Sequence, residues 1–533
     1  MAGPTTRRFF LRALLGAPAA LSAIQSCATS TPPPSPGPAP PAGPPILPGC
    51  DTRKTWSNYV GTQTAQPLAM CSPETPEAVS ALVRETAGKR LSMKAVGSGH
   101  SWSDVALTDG VMVLPDRMRA VLPLERELLK PSAPPMLFRA QSGITIHELN
   151  DALADAGRGL INMGGYDGQT IAGAISTGTH GSGLEFGPLC DFVESLEIVP
   201  ADGKLCRIEP SAGITDPAKF AGRHPEVRLI QDDDYFYSAV VSLGCLGVIT
   251  SYILRVREKY FLTERRFTKP WPEVREDLIR GDVFRQNRHY EVLLNPYPTN
   301  GVNLCLVTTR NPAKEPIQLS PSRERNFLVV LASFLPAGIL DCTPQQAPEI
   351  LNSALKILVE DERGFTRVSY EVLNIGAPNR IQAISAELAF PMKNGIYLAA
   401  VERFLELAGL QRAAGGRCHS SPVSLRFVRG TKAYLAPENG GDTCMMEIIF
   451  GRETVGVKEM LYAYETQLAA FGARPHWGQL NFVSGGHAVL SKMYPDYPKW
   501  LAVHKEFSRD HLFDSVFARR VGISDYEFVS PGR

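Results

Sequence analysis

Three glycine-dense segments constrain this chain more than any other feature. They are Val96-Gly97-Ser98-Gly99-His100-Ser101-Trp102-Ser103, Gly173-Ala174-Ile175-Ser176-Thr177-Gly178-Thr179-His180-Gly181-Ser182-Gly183 and Ser242-Leu243-Gly244-Cys245-Leu246-Gly247-Val248-Ile249. Glycine at this density disfavours regular structure, so each segment reads as a loop between short elements. It also lets backbone N–H groups approach a diphosphate closely and adopt positive φ at no steric cost. No Gly-Lys-Ser/Thr follows any of them, which excludes a Walker loop. None fits Gly-x-Gly-x-x-Gly opening a helix, which argues against a nicotinamide-type Rossmann site. Taken singly each is a tight turn; together, two of them with an embedded histidine, they describe a cofactor cradle.

The elements around the loops are short and mixed. Thr75 caps a helix that begins at Pro76, presents Val79, Leu82 and Val83, and stops near Gly88. Leu91 to Val96 reads as a strand entering the first loop, Met136 to Gln141 as another, and Ile144 to Ala156 as a helix ended by Gly157. Leu196 to Val199 and Leu205 to Ile208 flank Asp202-Gly203, a hairpin signal. The pattern predicts an α+β fold, not a repeated βαβ sheet. After about residue 260 longer strand-like stretches separated by helices mark a second domain.

A chain of 533 residues is too long for one ordinary core, and its formal net charge of +1 gives no support to a nucleic-acid partner. The ten cysteines include no CxxC and no metal-ligand spacing, so neither a disulfide framework nor a metal site is implied, although single disulfides stay open.

At the N-terminus, Thr5-Thr6-Arg7-Arg8-Phe9-Phe10-Leu11-Arg12 precedes the apolar stretch Ala13 to Ile24. A charged region followed by a short apolar one makes a removable export signal, here over residues 1–27, and the Arg7-Arg8 pair resembles a twin-arginine signal. Such a route carries folded proteins, which suits one that acquires a cofactor before leaving the cytoplasm. Ile24-Gln25-Ser26-Cys27 looks like a lipoprotein processing site, though Gln25 is not the favoured residue there. Cys27 is therefore either a lipidated membrane anchor or an incidental cysteine. Residues 31–50 carry ten prolines, a semi-rigid spacer within a linker spanning 28–50.

Gly97-Ser98-Gly99-His100-Ser101, with Asp104 and Thr108-Asp109-Gly110 after it, resembles the flavin loop of the vanillyl-alcohol-oxidase superfamily. The second segment is similar to the next FAD loop of its aldonolactone and alditol oxidases, and the third, through Gly244, Gly247, Val248 and Ile249, to the one after. Arg474-Pro475-His476-Trp477-Gly478 resembles their Arg-Pro-His-Trp-Gly-Lys segment. Order and spacing agree from about residue 55 to the end. The resemblance implies a two-part FAD-binding domain over 51–260, an α+β substrate (cap) domain with an antiparallel sheet over 261–470, and a return to the FAD domain over 471–533. It implies FAD held by Gly97, Ser98, Gly99, His100, Ser101, Gly173, Thr177, Gly178, Thr179, His180, Gly181, Gly183, Gly244, Gly247, Val248 and Ile249, and attached covalently at His100. Cys190 lies too far along to serve as a second attachment point, and His180 reads as a structural loop residue.

The implied activity is oxidation of a CH–OH group on a polyol, sugar or aldonolactone, with O₂ or another acceptor taking the electrons. Such chemistry needs hydride transfer to the flavin and a group that accepts the hydroxyl proton. Relatives place Glu-x-Arg on a strand and Lys after His-Trp-Gly. Here Arg426 and His476 are retained as the catalytic candidates, but Ser424 stands where Glu is expected and Gln479 where Lys is. Glu447 and His419 are candidate replacement bases, although the sequence places neither near the flavin, and Glu387 reads as structural. The altered pocket leaves three functions open: an oxidase for another alcohol, a quinone- or cytochrome-linked dehydrogenase, or a surface-held binding protein with an idle flavin.

Overall fold

The threonine at position 75 accepts a bond from the Ala78 amide at 3.2 Å, Pro76 fills the first turn, and the helix Pro76–Gly88 follows. Val79 and Val83 point into a core with Val111, Val113 and Met93. This helix links two strands of a small parallel sheet, Ala69–Cys71 and Met93–Ala95, which flank Val111–Val113. The computed structural model describes residues 47–52, 54–314, 316–320, 344–359, 363–375, 383–414, 418–452 and 454–525. The twin-arginine segment, Cys27 and the proline run up to residue 46 lie outside the described residues. Among the described residues no helix is long and apolar enough to cross a membrane. Cys50 and Cys71 form a disulfide, a pairing the sequence left open.

The second layer of the N-terminal half is a six-stranded sheet in the order Arg228–Gln231, Cys206–Glu209, Val193–Val199, Val248–Arg255, Leu137–Gln141, Val121–Leu122. Its Asp202-Gly203 turn joins strands that pair antiparallel, Cys206 opposite Ile198. The helix Ile146–Asp155 starts from a capping box: Thr145 accepts from the Glu148 amide while Glu148 accepts from the Thr145 amide. A box of this kind satisfies two otherwise orphaned donors.

Strand Phe261–Pro270 opens the cap, an antiparallel eight-stranded sheet whose centre runs His289–Leu294, Val423–Val428, Thr443–Gly451, Ala383–Pro391. Alternation sets its two faces. Ile384, Leu388, Phe390, Leu425, Phe427, Met446 and Phe450 meet the helices Trp271–Arg280, Ile396–Ala413 and Val457–Leu468 in one apolar core. The intervening residues Ser385, Glu387, Ser424, Arg426, Glu447 and Ile449 face the N-terminal half of the chain, where they share one cavity wall. The chain is thus α+β: a three-stranded and a six-stranded sheet, with two small two-stranded ones beside them, build the N-terminal half, and an eight-stranded antiparallel sheet builds the cap.

The last segment returns across both halves. Arg474–Pro475 pairs with the edge of the Ala383–Pro391 strand, and Trp500 and Phe517 enter the main core of the N-terminal half. Trp477 is fully buried, its indole N–H donating to the Leu435 carbonyl at 2.6 Å. Buried indole truncations cost about 3–5 kcal/mol, so this return is a structural requirement of the fold.

Candidate active site

The first loop leaves strand Met93–Ala95 and is held at both ends. The Asn58 side chain donates to the Ser101 carbonyl at 3.0 Å, and the Tyr59 amide donates to the Gly99 carbonyl at 3.0 Å. Farther on, the Trp102 amide donates to the Gly478 carbonyl at 2.8 Å and the Ser103 hydroxyl to the Trp477 carbonyl at 2.6 Å. Gly97 is required by close approach: a Cβ there would sit 2.1 Å from Thr170 Oγ1. That contact brings the first loop against the start of the second segment. The second segment is less of a loop than its composition suggested, because Ile171–Ser176 forms a short helix capped by Thr170. In the third, the buried Lys94 ammonium donates to the Leu243 carbonyl at 2.6 Å.

Between these three segments and the cap sheet lies one cavity of about 320 Å³. Gly97, Ser98, Gly99, His100, Ser101, Gly173, Thr177, Thr179, His180, Gly244, Gly247, Val248 and Ile249 line it, as do Arg426 and His476. Gly178, Gly181 and Gly183 do not, and here the sequence expectation is corrected. They pack the outside of the loop, where an added Cβ would strike Pro437, Asn162 and the Arg288 carbonyl at 2.8, 2.5 and 2.3 Å. Cys190 is buried away from the cavity wall.

The His100 ring is enclosed by aromatic side chains, with centroids 4.2 Å from Tyr59 and 4.2 Å from Tyr166. Its Nδ1 is buried and has no hydrogen-bond partner. Burial pushes its pKa down to about 4, so the imidazole stays neutral. A neutral, unpartnered ring nitrogen in the wall of the cradle suits a covalent link to a cofactor. The cavity lined by the three glycine-rich segments and this nitrogen together fit FAD.

The cap side supplies the charged groups. Glu387, 2% exposed, lies 3.3 Å from His180 Nε2. Burial opposes ionisation of both, but each charge overrides it for the other: His180 rises to about 9 and the Glu387 carboxyl falls well below the usual range. Gln479 Nε2 donates to Glu387 Oε2 at 3.2 Å and to Glu447 Oε1 at 3.0 Å. Glu447 Oε2 is 3.6 Å from the Arg426 guanidinium. Burial, reinforced by the Glu387 charge, raises the Glu447 carboxyl against the pull of Arg426. Burial lowers His476 to about 4, and its Nδ1 accepts from the Gly478 amide at 3.2 Å. Ligand-type atoms of His180, Glu387 and His476 lie within 4.8 Å of one another. His180 and Glu387 answer each other as an ion pair, so the group reads as an acid–base cluster.

Glu387 and Glu447, set aside in the sequence as structural or unplaced, are therefore corrected into the site. His180 pairs with Glu387 in the same wall instead of only shaping its loop. His419 stays apart, buried in the cap core with Nε2 at 2.6 Å from the Tyr464 hydroxyl. Gly164, Gly165 and Tyr166 also line the cavity; the run Gly164-Gly165-Tyr166-Asp167-Gly168 was the overlooked signal for them.

Residues 67–209 match the FAD binding domain family, and residues 253–521 match the D-arabinono-1,4-lactone oxidase family. The chain is 27% identical to the L-gulono-1,4-lactone dehydrogenase of Mycobacterium tuberculosis, over 87% of this chain and 98% of that one. It is 25% identical to the L-gulonolactone oxidase of Mus musculus, over the same shares. A putative D-arabinono-1,4-lactone oxidase of Neurospora crassa is 28% identical, covering 88% of this chain and 85% of that one. In three dimensions the chain resembles the cholesterol oxidase of B. sterolicum with a TM-score of 0.68 at 14% identity, over 91% of this chain and 99% of that structure. The last likeness bears on the fold alone.

Proposed function

Since the chain belongs to the D-arabinono-1,4-lactone oxidase family, an assignment that its match over 253–521 carries, we propose that it oxidises a CH–OH group of an aldonolactone. The hydride acceptor and the relay of two electrons to an external acceptor would be supplied by FAD when bound. The observation that carries this reading is the single cavity joining the three cofactor segments to Ser385, Glu387, Ser424, Arg426, Glu447 and Gln479. A substrate there meets a fixed guanidinium for its oxygens, two carboxylates and a neutral His476. The idle-flavin alternative rested on the charges missing at 424 and 479. Glu387 and Glu447 put charge back into the pocket, and that alternative loses its basis.

His100 is the proposed attachment point of the flavin, supported by its neutral, unpartnered Nδ1. Acid precipitation of the purified protein should leave yellow colour with the polypeptide, and His100→Ala should move it to the supernatant. Colour in the wild-type supernatant defeats the attachment. For the activity, a panel of aldonolactones, alditols and secondary alcohols is assayed with O₂ and with a soluble quinone. Turnover of a lactone is expected; hydrogen peroxide release identifies an oxidase, and turnover with quinone alone identifies a dehydrogenase.

Export by the twin-arginine route is likewise proposed. It is supported by Arg7-Arg8 in the sequence and by Cys50–Cys71, since such bonds persist outside the cytoplasm. The mass of the mature N-terminus decides whether Cys27 carries lipid.

A further inference from the structure

We propose that Glu447 is the group that accepts the hydroxyl proton of the substrate, a carboxylate moved to the neighbouring strand from the position that Ser424 occupies. The inference rests on the activity proposed above. In the sheet Ser424 stands opposite Glu447, and Glu447 opposite Glu387. Side chains opposite one another in an antiparallel pair have Cβ atoms about 4.5–5.5 Å apart. A carboxylate at 447 therefore serves the same patch of cavity wall as one at 424, and the short Ser424 leaves it room. Arg426 keeps a carboxylate partner in consequence, with Nη2 3.6 Å from Glu447 Oε2.

The groups facing Glu447 separate it from its neighbours. Arg426 holds one oxygen; Gln479 donates to the other at 3.0 Å, and Ser385 at 3.4 Å. Glu387 and His180 line the same cavity wall, locked to each other as an ion pair. A carboxylate already matched by an imidazolium is a weak proton acceptor, which removes Glu387 from contention. His476 Nδ1 is taken by the Gly478 amide. Residue 479 supplies an amide where relatives carry a lysine. A cation there would hold Glu447 ionised, whereas the Gln479 amide bonds both carboxylates and leaves Glu447 free to gain a proton. Environments that push two adjacent carboxyls apart divide the roles: Glu387 is the fixed anion, Glu447 the group that titrates.

In the step so assigned, the substrate O–H bond breaks and its proton passes to a Glu447 carboxylate oxygen. The C–H hydrogen would leave with its electron pair as a hydride to the bound FAD, and the C=O bond forms between the carbon and the deprotonated oxygen. The substrate is oxidised by two electrons and the cofactor reduced by two. The external acceptor reoxidises the cofactor, and Glu447 releases its proton to solvent.

The test combines anaerobic stopped-flow bleaching of the flavin with pH titration of an unreactive deoxylactone, its binding read from the flavin spectrum. Glu447→Gln is expected to slow bleaching by about 10²–10⁴-fold, to abolish the ascending limb of the pH profile, and to bind the deoxylactone with a pH-independent Kd. Glu447→Asp keeps the limb at a reduced rate. The double variant Ser424→Glu with Glu447→Gln regains at least tenfold over Glu447→Gln. Bleaching by Glu447→Gln within threefold of wild type, with the limb intact, overturns the assignment. So does loss of the limb in His476→Gln but not in Glu447→Gln. If none of the lactones bleaches the wild-type flavin, the parent reading fails and takes this one with it.

Discussion

Replacing His180 with glutamine removes one half of the buried pair that anchors the polar wall. His180 is 3% exposed and its Nε2 is 3.3 Å from Glu387. Burial disfavours its charge, but the Glu387 carboxylate overrides this and lifts the pKa from 6.5 to about 9. The sign follows from linkage: a histidine whose pKa is raised on folding stabilises fully below pH 6.5 and loses that contribution as pH climbs to 9. At 1.36 kcal/mol per pKa unit the loss across this window is about 3 kcal/mol. Glu387 acts in the opposite sense, its contribution vanishing only in acid as the carboxyl protonates below its ordinary range. His180→Gln should therefore unfold about 3–5 kcal/mol more easily at pH 6, the usual cost of leaving one buried charge unpaired. Its deficit should shrink as pH rises to 9. Urea unfolding of the holoprotein at closely spaced pH values measures both. A deficit that stays constant from pH 6 to 9 refutes the ion pair.

Three other perturbations each act on a single contact. Gly97→Ala drives a Cβ to 2.1 Å from Thr170 Oγ1, so stability falls by about 1–3 kcal/mol and flavin content, read from the 450/280 nm ratio, drops. Glu438 is fully buried and burial raises its carboxyl from 4.5 to about 7. Raised in the fold, it costs stability as pH rises from 4.5 through 7, by about 3 kcal/mol; Glu438→Gln should then gain most over wild type at pH 8 in the same urea assay. Removing Cys50–Cys71, whose sequence separation is 21, should lower stability by about 3 kcal/mol in the chain-entropy estimate, with no effect when both proteins are compared under reductant.

The cradle was legible in the sequence because its signals are local. Glycines at 97, 244 and 247 and the histidines at 100 and 180 declare themselves within a few residues, and helix Pro76–Gly88 is announced by its own cap. The polar wall was half legible. Strands such as Ala383–Pro391 do alternate, with Ile384, Ala386, Leu388 and Phe390 on the core face and Ser385 and Glu387 on the other. One acidic residue in an apolar strand reads equally well as an edge or a structural charge. What no single stretch contains is the register that sets Ser424 against Glu447 and Glu447 against Glu387. That pairing joins strands tens of residues apart, and it alone turns two misread glutamates and a missing one into a single pattern. The same limit applies to Gly178, Gly181 and Gly183, whose density looked like cofactor binding. Their backbone is instead pressed against Pro437, Asn162 and Arg288.

A flavin that takes electrons from a lactone is the central requirement of the proposed activity. Under anaerobic conditions, titration of the purified holoprotein with L-gulono-1,4-lactone, the compound named in its relatives, should bleach the 450 nm band, and admitting the acceptor should restore it. A flavin that stays oxidised with this lactone and with every other aldonolactone tried would contradict the assignment.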